Sequence, residues 1–168
     1  VVDSEAALLD RVKFIHESLK LDAITEEYIE GREFYVSVLG NKRLTALPLR
    51  EMIFGKMDED EPRIATYKAK WDNEYRKRWR IKNTDATNLS AELTQKAQDI
   101  CKRAYRVLNM KSYARFDIRI TPENKIYIIE PNANPSLEPD DEFALSAQKI
   151  GWSYEKLVEK LIVLAMEK

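Results

Sequence analysis

The sequence predicts an α+β fold in which an antiparallel sheet packs against helices. Three observations carry that prediction. Residues 114–120 and 125–130 alternate apolar and polar side chains around the turn signal Pro122-Glu123-Asn124, the pattern of a β-hairpin. Residues 33–54 alternate in the same way around Gly40-Asn41 and Pro48, as an antiparallel meander does. Leu89, Leu93, Ala97, Ile100, Cys101, Ala104 and Leu108 recur at helical spacing. The order helix, meander, loop, helix, hairpin, helix, helix groups the strands instead of alternating each with a helix.

Composition bounds the function. A chain of 168 residues with 44% hydrophobic and 34% charged side chains can bury one real core. A net charge of −1 supplies no overall field for nucleic acid or a membrane surface. One cysteine, Cys101, excludes an internal disulfide framework and suits a reducing, cytoplasmic compartment. It falls on the apolar side of a predicted helix, as a core residue does. One histidine, His16, leaves no His-based triad or zinc site to assemble. No apolar run approaches the ~20 residues that span a bilayer, and no signal peptide is recognisable. The four glycines form no glycine-rich phosphate loop. The chain opens Val1-Val2-Asp3-Ser4, without methionine. If it handles a nucleotide, part of the phosphate grip is expected outside these residues.

In chain order, Ser4 is a plausible N-cap, with Glu5 favourable in the first turn. Leu8, Val12, Ile15 and Leu19 then predict a helix over 5–19. Ala23 to Ile29 reads as a strand, interrupted by Glu30-Gly31-Arg32. Glu33 to Leu39 is the next strand, with Phe34, Val36 and Val38 on one face. Gly40-Asn41 signals a two-residue hairpin, Arg43 to Leu49 returns, and Arg50 to Phe54 continues extended. Residues 55–88 read as a long loop with an acidic start, Asp58-Glu-Asp-Glu-Pro62. Its basic and aromatic residues, 67–80, fit nucleic-acid binding or a surface excursion pinned to the body by its aromatics; the neighbouring acids favour the second. A helix over 90–108 ends near Asn109. After the hairpin come helices over 140–149, stopped by Gly151, and from Ser153 to the C-terminus.

The hairpin carries the candidate chemistry. Arg115, Asp117 and Arg119 share one face of the first strand, and Glu130 and Asn132 share a face of the second. Two carboxylates, an amide and a guanidinium then converge at one end. Paired carboxylates with an amide oxygen suit a hard cation such as Mg²⁺, which prefers oxygen ligands and keeps water and phosphate in its shell. The other reading is a solvated strand face. Glu130-Pro-Asn-Ala-Asn-Pro135 favours the metal reading, because it supplies more ligand atoms than a turn needs.

With these residues laid out, nearly the whole chain resembles the C-terminal part of an ATP-grasp ligase, on the D-alanine–D-alanine ligase branch. Ala23-Ile-Thr-Glu26-Glu27-Tyr28-Ile29-Glu-Gly31-Arg-Glu33 looks like the hinge and the glycine-plus-acid after it. Tyr67-Lys-Ala-Lys70-Trp71 resembles the mobile-loop lysine motif. Arg115-Phe-Asp117 and Glu130-Pro-Asn132 resemble the paired metal-binding strands, and Gly151-Trp-Ser-Tyr-Glu-Lys-Leu157 the closing helix. The resemblance implies residues 1–31 as the end of the small central subdomain with its hinge, and 32–168 as the C-terminal grasp subdomain. The N-terminal substrate domain and the phosphate loop are then missing portions of the same enzyme, and the 168 residues alone are expected to bind ATP weakly and not to ligate.

The resemblance also implies roles. Glu26 would accept from the adenine amino group, the backbone of Glu27, Tyr28 and Ile29 would pair with the ring edge, and Ile129 would join the nucleotide-binding set. Glu33 would bond the ribose hydroxyls. Asp117, Glu130 and Asn132 would hold two Mg²⁺ ions, with Mn²⁺ as an alternative. Lys70 would meet the γ-phosphate, and Arg115 the oxyanion formed when an amine attacks the acyl phosphate. The partners are then ATP and small carboxylate and amine substrates, with neither nucleic acid nor membrane; a homodimer is left open. The alternative is a non-catalytic nucleotide- or metal-binding module. Two departures bear on the substrate. Asp141 stands where the family places a serine against the substrate carboxylate, and Trp71 stands where it places a tyrosine. A carboxylate at 141 repels a substrate carboxylate, which argues for an acceptor other than D-alanine.

Overall fold

The computed structural model describes residues 1–57, 63–66, 69–70 and 72–167. Ser4 caps helix α1 (Glu5–Phe14): its Oγ accepts from the Ala7 N–H at 3.3 Å. The helix loosens into a π-helical turn, Ile15–Leu19, which ends on Lys20 with φ 57°. No residue of α1 is buried. The strand expected over 23–29 does not form. That segment has no regular structure and no sheet neighbour among the described residues, and Ile24 is 82% exposed. β-branched residues alone do not make a strand; a ladder of exchanged hydrogen bonds does.

Among the described residues the sheet holds six strands: β1 (Arg32–Leu39), β2 (Thr45–Ala46), β3 (Arg50–Phe54), β4 (Ile81–Asp85), β5 (Tyr113–Ile120) and β6 (Ile126–Asn132). Their order is β4-β3-β1-β5-β6, with the short β2 pairing off this path against β1, and every pairing is antiparallel. The expected α+β class therefore holds. The return strand after Gly40 is shorter than expected: Leu39 pairs with Thr45, so residues 40–44 form the loop in place of a two-residue turn. Gly40 sits at φ 124°, and a Cβ there would run into the Arg43 carbonyl. Its own carbonyl accepts from the Tyr105 hydroxyl at 2.9 Å.

One sheet face is the main core. Phe34, Val36 and Val38 of β1 and Phe116 and Ile118 of β5 are fully buried. They meet Ala97, Cys101 and Tyr105 on helix α3 (Ala91–Val107), whose Ser90 cap accepts from the Leu93 N–H. Burial pushes the Cys101 thiol up to about 12, so it is inert, as its helix face implied.

The other face has two covers. Helices α4 (Glu142–Lys149) and α5 (Tyr154–Met166) lay Phe143, Ala144, Ala147, Leu157 and Leu161 over Leu39 and Leu47. The excursion after β3 lays Ala69, Tyr75 and Trp79 over Tyr35, Met52 and Ile81. It is more regular than the expected loop: it includes helix α2 (Asn73–Trp79), capped by Asp72, and strand β4. Tyr75 and Trp79 pin it to the body. The acidic start, Asp58 to Pro62, lies outside the described residues, as do Tyr67, Lys68 and Trp71.

Candidate functional site

The face beneath the excursion is polar. Opposite residues of an antiparallel pair share a face. β1 pairs Glu33 with Arg119, Tyr35 with Asp117 and Ser37 with Arg115. On the far side of β5, Arg115 stands opposite Asn132 and Asp117 opposite Glu130. Beyond that point the register slips: Ile118 stands opposite Ile128, so Ile129 is an extra residue in a β-bulge. The bulge switches parity within β6. Ile126 and Ile128 pack on the core, while Glu130 and Asn132, also even-numbered, lie on the polar face.

Five expected residues come together here. Arg115 Nε donates to Asp117 Oδ1 at 2.8 Å and its Nη2 to Oδ2 at 3.2 Å, a forked ion pair. Its guanidinium lies 4.9 Å above the Tyr35 ring. Burial opposes the Arg115 charge, but Asp117 outweighs it and holds the guanidinium above the ordinary arginine value. Lys70 Nζ lies 3.7 Å from Asp117 Oδ2 and 4.0 Å from Glu130 Oε2, bridging the two carboxylates. Asp117 is buried and Glu130 is exposed, so the group opens outward along β6.

Among the described residues no cluster of three His, Cys, Asp or Glu side chains is placed to hold a metal ion. The expected set is different: two carboxylates and the Asn132 amide. These are hard oxygen donors on adjacent strands, and the two carboxylates already hold one cationic group, Lys70, between them. That donor set fits an ion which takes part of its shell from phosphate and water.

The residues expected at the nucleotide are more spread out. A cleft of about 1160 Å³ opens beside the polar face, lined in part by Tyr28, Glu33, Met52, Phe54 and Arg63. Glu33 is buried and accepts from Arg119 Nη2 at 2.9 Å. Burial pushes its carboxyl up, against the opposing pull of Arg119. Glu26 and Glu27 are exposed in the segment before β1. The Ile29 carbonyl accepts from Arg119 Nη1 at 2.6 Å. Ile129, at the bulge, is 50% exposed.

Sequence reasoning missed the polar groups that tie this face together. Arg119 was placed on the right face by alternation but given no role. Arg50 Nε donates to Glu142 Oε2 at 2.9 Å, its Nη1 to Asp85 Oδ1 at 2.5 Å, and Asn83 donates to Glu142 Oε1 at 2.8 Å. This knot joins β3, β4 and the first turn of α4. No local signal marks it, because its members lie far apart in the chain. Asp141 is the half-buried N-cap of α4, and its side chain makes no capping bond.

Comparison with known proteins fits this geometry. The family model described as D-ala D-ala ligase C-terminus matches residues 2–163. The D-alanine–D-alanine ligase of Carboxydothermus hydrogenoformans is 32% identical over 158 residues, covering 92% of this chain and 47% of that protein. A protein of Sinorhizobium fredii, "Uncharacterized protein y4sG", is 30% identical over 165 residues, covering 98% of this chain and 47% of that one. The chain thus spans about half the length of the curated relatives it matches. Among solved structures, the D-alanine–D-alanine ligase of Coxiella burnetii superposes with TM-score 0.75 at 23% identity, over 98% of this chain and 40% of that one. The Bacillus anthracis enzyme complexed with ATP does so with TM-score 0.73 at 21% identity, over 98% and 48%. The resemblance read from the hinge, loop-lysine and paired-strand motifs is borne out, and the chain belongs to the family of the D-alanine–D-alanine ligase C-terminus.

Proposed function

We propose that this chain is the ATP- and Mg²⁺-binding half of an ATP-dependent carboxylate–amine ligase that works through an acyl phosphate. The observation that carries the reading is the convergence of Lys70, Arg115, Asp117, Glu130 and Asn132 on one sheet face. A plain binding module needs neither the mobile cation nor the buried guanidinium. Residues 1–31 act as hinge and subdomain end, and 32–168 as the C-terminal jaw. The adenosine end of ATP lies in the cleft lined by Tyr28 and Glu33, with Glu26 and the 27–29 backbone at the adenine and Ile129 nearby.

Asp117, Glu130 and Asn132 would hold Mg²⁺, which would offset the charge that builds on the transferred phosphoryl group. Lys70 leaves the two carboxylates and turns to the γ-phosphate. Arg115, fixed by Asp117 and Tyr35, waits for the oxyanion of the attacked acyl group. Asp141 selects an acceptor without a carboxylate at that position, so the substrate differs from D-alanine. The remaining half of the enzyme supplies the phosphate loop and the donor site, and these 168 residues alone bind ATP weakly and do not ligate.

The test is phosphate release by the full-length protein with ATP and Mg²⁺, across amino acids and small carboxylates. Acceptor-stimulated release that disappears in Asp117→Ala and Glu130→Gln supports the ligase. Release unchanged in both variants refutes the metal site. ATP binding without acceptor-stimulated release under any condition points to the non-catalytic module.

A further inference from the structure

We propose that Arg119 is a positioning residue for the nucleotide: it sets the Glu33 carboxylate for a sugar diol while clamping the hinge to the sheet. This rests on the nucleotide reading of the cleft given above. Arg119 is 3% exposed, and its guanidinium reaches three separate segments at once. Nη1 donates to the Ile29 carbonyl on the hinge at 2.6 Å. Nη2 donates to Glu33 Oε2 on β1 at 2.9 Å and to the Arg63 carbonyl on the excursion. Its flat face lies 5.1 Å from the Tyr28 ring. Tyr28, Glu33 and Arg63 all line the cleft, so one side chain ties three of its walls together.

The chemistry explains why this is an arginine. A planar fork with five donors can serve three acceptors in fixed directions; an ammonium on a flexible stem cannot hold all three in register. Among the described residues no protein donor bonds Glu33 Oε1, and Glu33 faces the cleft. One oxygen is therefore held by Arg119 while the other is presented to the ligand. A carboxylate with one oxygen fixed accepts from hydroxyl donors, which suits the ribose hydroxyls of the nucleotide proposed for this cleft. The same clamp fixes Ile29, so the hinge and the sugar acid move as one unit.

The test is calorimetric binding of ATP and of 2′,3′-dideoxy-ATP, with Mg²⁺, to the full-length protein. Hydrogen bonds to a charged group predict a preference for ATP of about tenfold to a hundredfold in the native protein. In Arg119→Lys, which keeps the charge beside Glu33, dideoxy-ATP affinity stays within about threefold and the preference falls to about twofold or less. Glu33→Gln loses the preference in the same way, and adding Arg119→Lys to it changes the ratio no further. Where Arg119→Lys does not fold, Arg119→Met on the Glu33→Gln background removes both charges together and is compared with Glu33→Gln alone. A preference retained in Arg119→Lys, an equal loss of both nucleotides, or a further change of ratio on the Glu33→Gln background overturns the inference. Equal native affinity for both nucleotides overturns it and leaves nucleotide binding standing. A native protein that binds neither overturns both.

Discussion

The two faces of β1 and β5 are built from alternate residues of the same strands, and both are covered, yet they are made of opposite material. Toward α3 stand Phe34, Val36, Val38, Phe116 and Ile118; toward the excursion and α4 stand Glu33, Tyr35, Ser37, Asp117 and Arg119. The first face gains from burial directly, at about 25 cal/mol per Å² of apolar surface. The second must offset the cost of taking charges out of water, and it does so only where each is paired. A sheet therefore divides labour by parity: one side holds the fold, and the other holds charges at fixed positions at some cost to stability.

Breaking the apolar face should cost most. Phe116→Ala is expected to lower unfolding free energy by about 3–5 kcal/mol, read as a lower denaturant midpoint at unchanged slope. No second substitution nearby should restore it. Arg50→Ala should cost about as much, roughly 3–5 kcal/mol, because it leaves the buried Glu142 carboxylate without its cation. Here the faces diverge: Arg50→Met combined with Glu142→Leu should recover most of the loss in the same denaturation experiment. If the double variant is no better than Arg50→Ala, the polar face is as stabilising as the apolar one and the contrast fails.

Lys70→Ala separates stability from chemistry. Its partly exposed contacts predict a stability loss of only about 0–1 kcal/mol, whereas acceptor-stimulated phosphate release by the full-length protein should fall about 10²–10³-fold. A large drop in melting temperature with turnover preserved would reverse that assignment. The smallest effect belongs to Asp85 at the rim. Its hydrogen bond with Lys149, and then that with Arg50, hold its carboxyl below the ordinary value of 3.8. A depressed carboxyl pKa contributes stability that is present above 3.8 and is lost as pH falls through the lower, folded value. Lys149→Ala should trim about 0.2–1 kcal/mol at neutral pH, and the difference from the native protein should vanish in acid melts below that range.

The legibility of the chain follows the same division. The hairpin over 113–132 could be read because strict alternation, a turn signal and a cluster of ligand-type residues are all local. So could α3, whose apolar stripe repeats over five turns. The segment 23–29 misled because its side chains suit a strand while no neighbouring strand is there to pair with it. In the excursion, β4 was missed because Ile81-Lys-Asn-Thr-Asp has a single apolar residue, and its pairing with β3 is a long-range fact. Asp72, the cap that starts α2, is visible only once the helix is suspected. The site shows the same pattern. Asp117, Glu130 and Asn132 were legible as types at a spacing. The Arg50–Glu142–Asn83 knot spans 92 residues between its acid and its base and has no local signature.

The bulge at Ile129 has a consequence outside the site altogether. Among the described strands, β6 is an edge, and an edge offers unpaired backbone groups to any passing extended chain. Two neighbouring residues spoil that offer: the bulge breaks the spacing of the ladder, and Pro131 has no N–H to give. The irregularity that aims Glu130 at the polar face thus also makes the outermost strand a poor template for self-association, and straightening it should favour aggregation before it harms the fold.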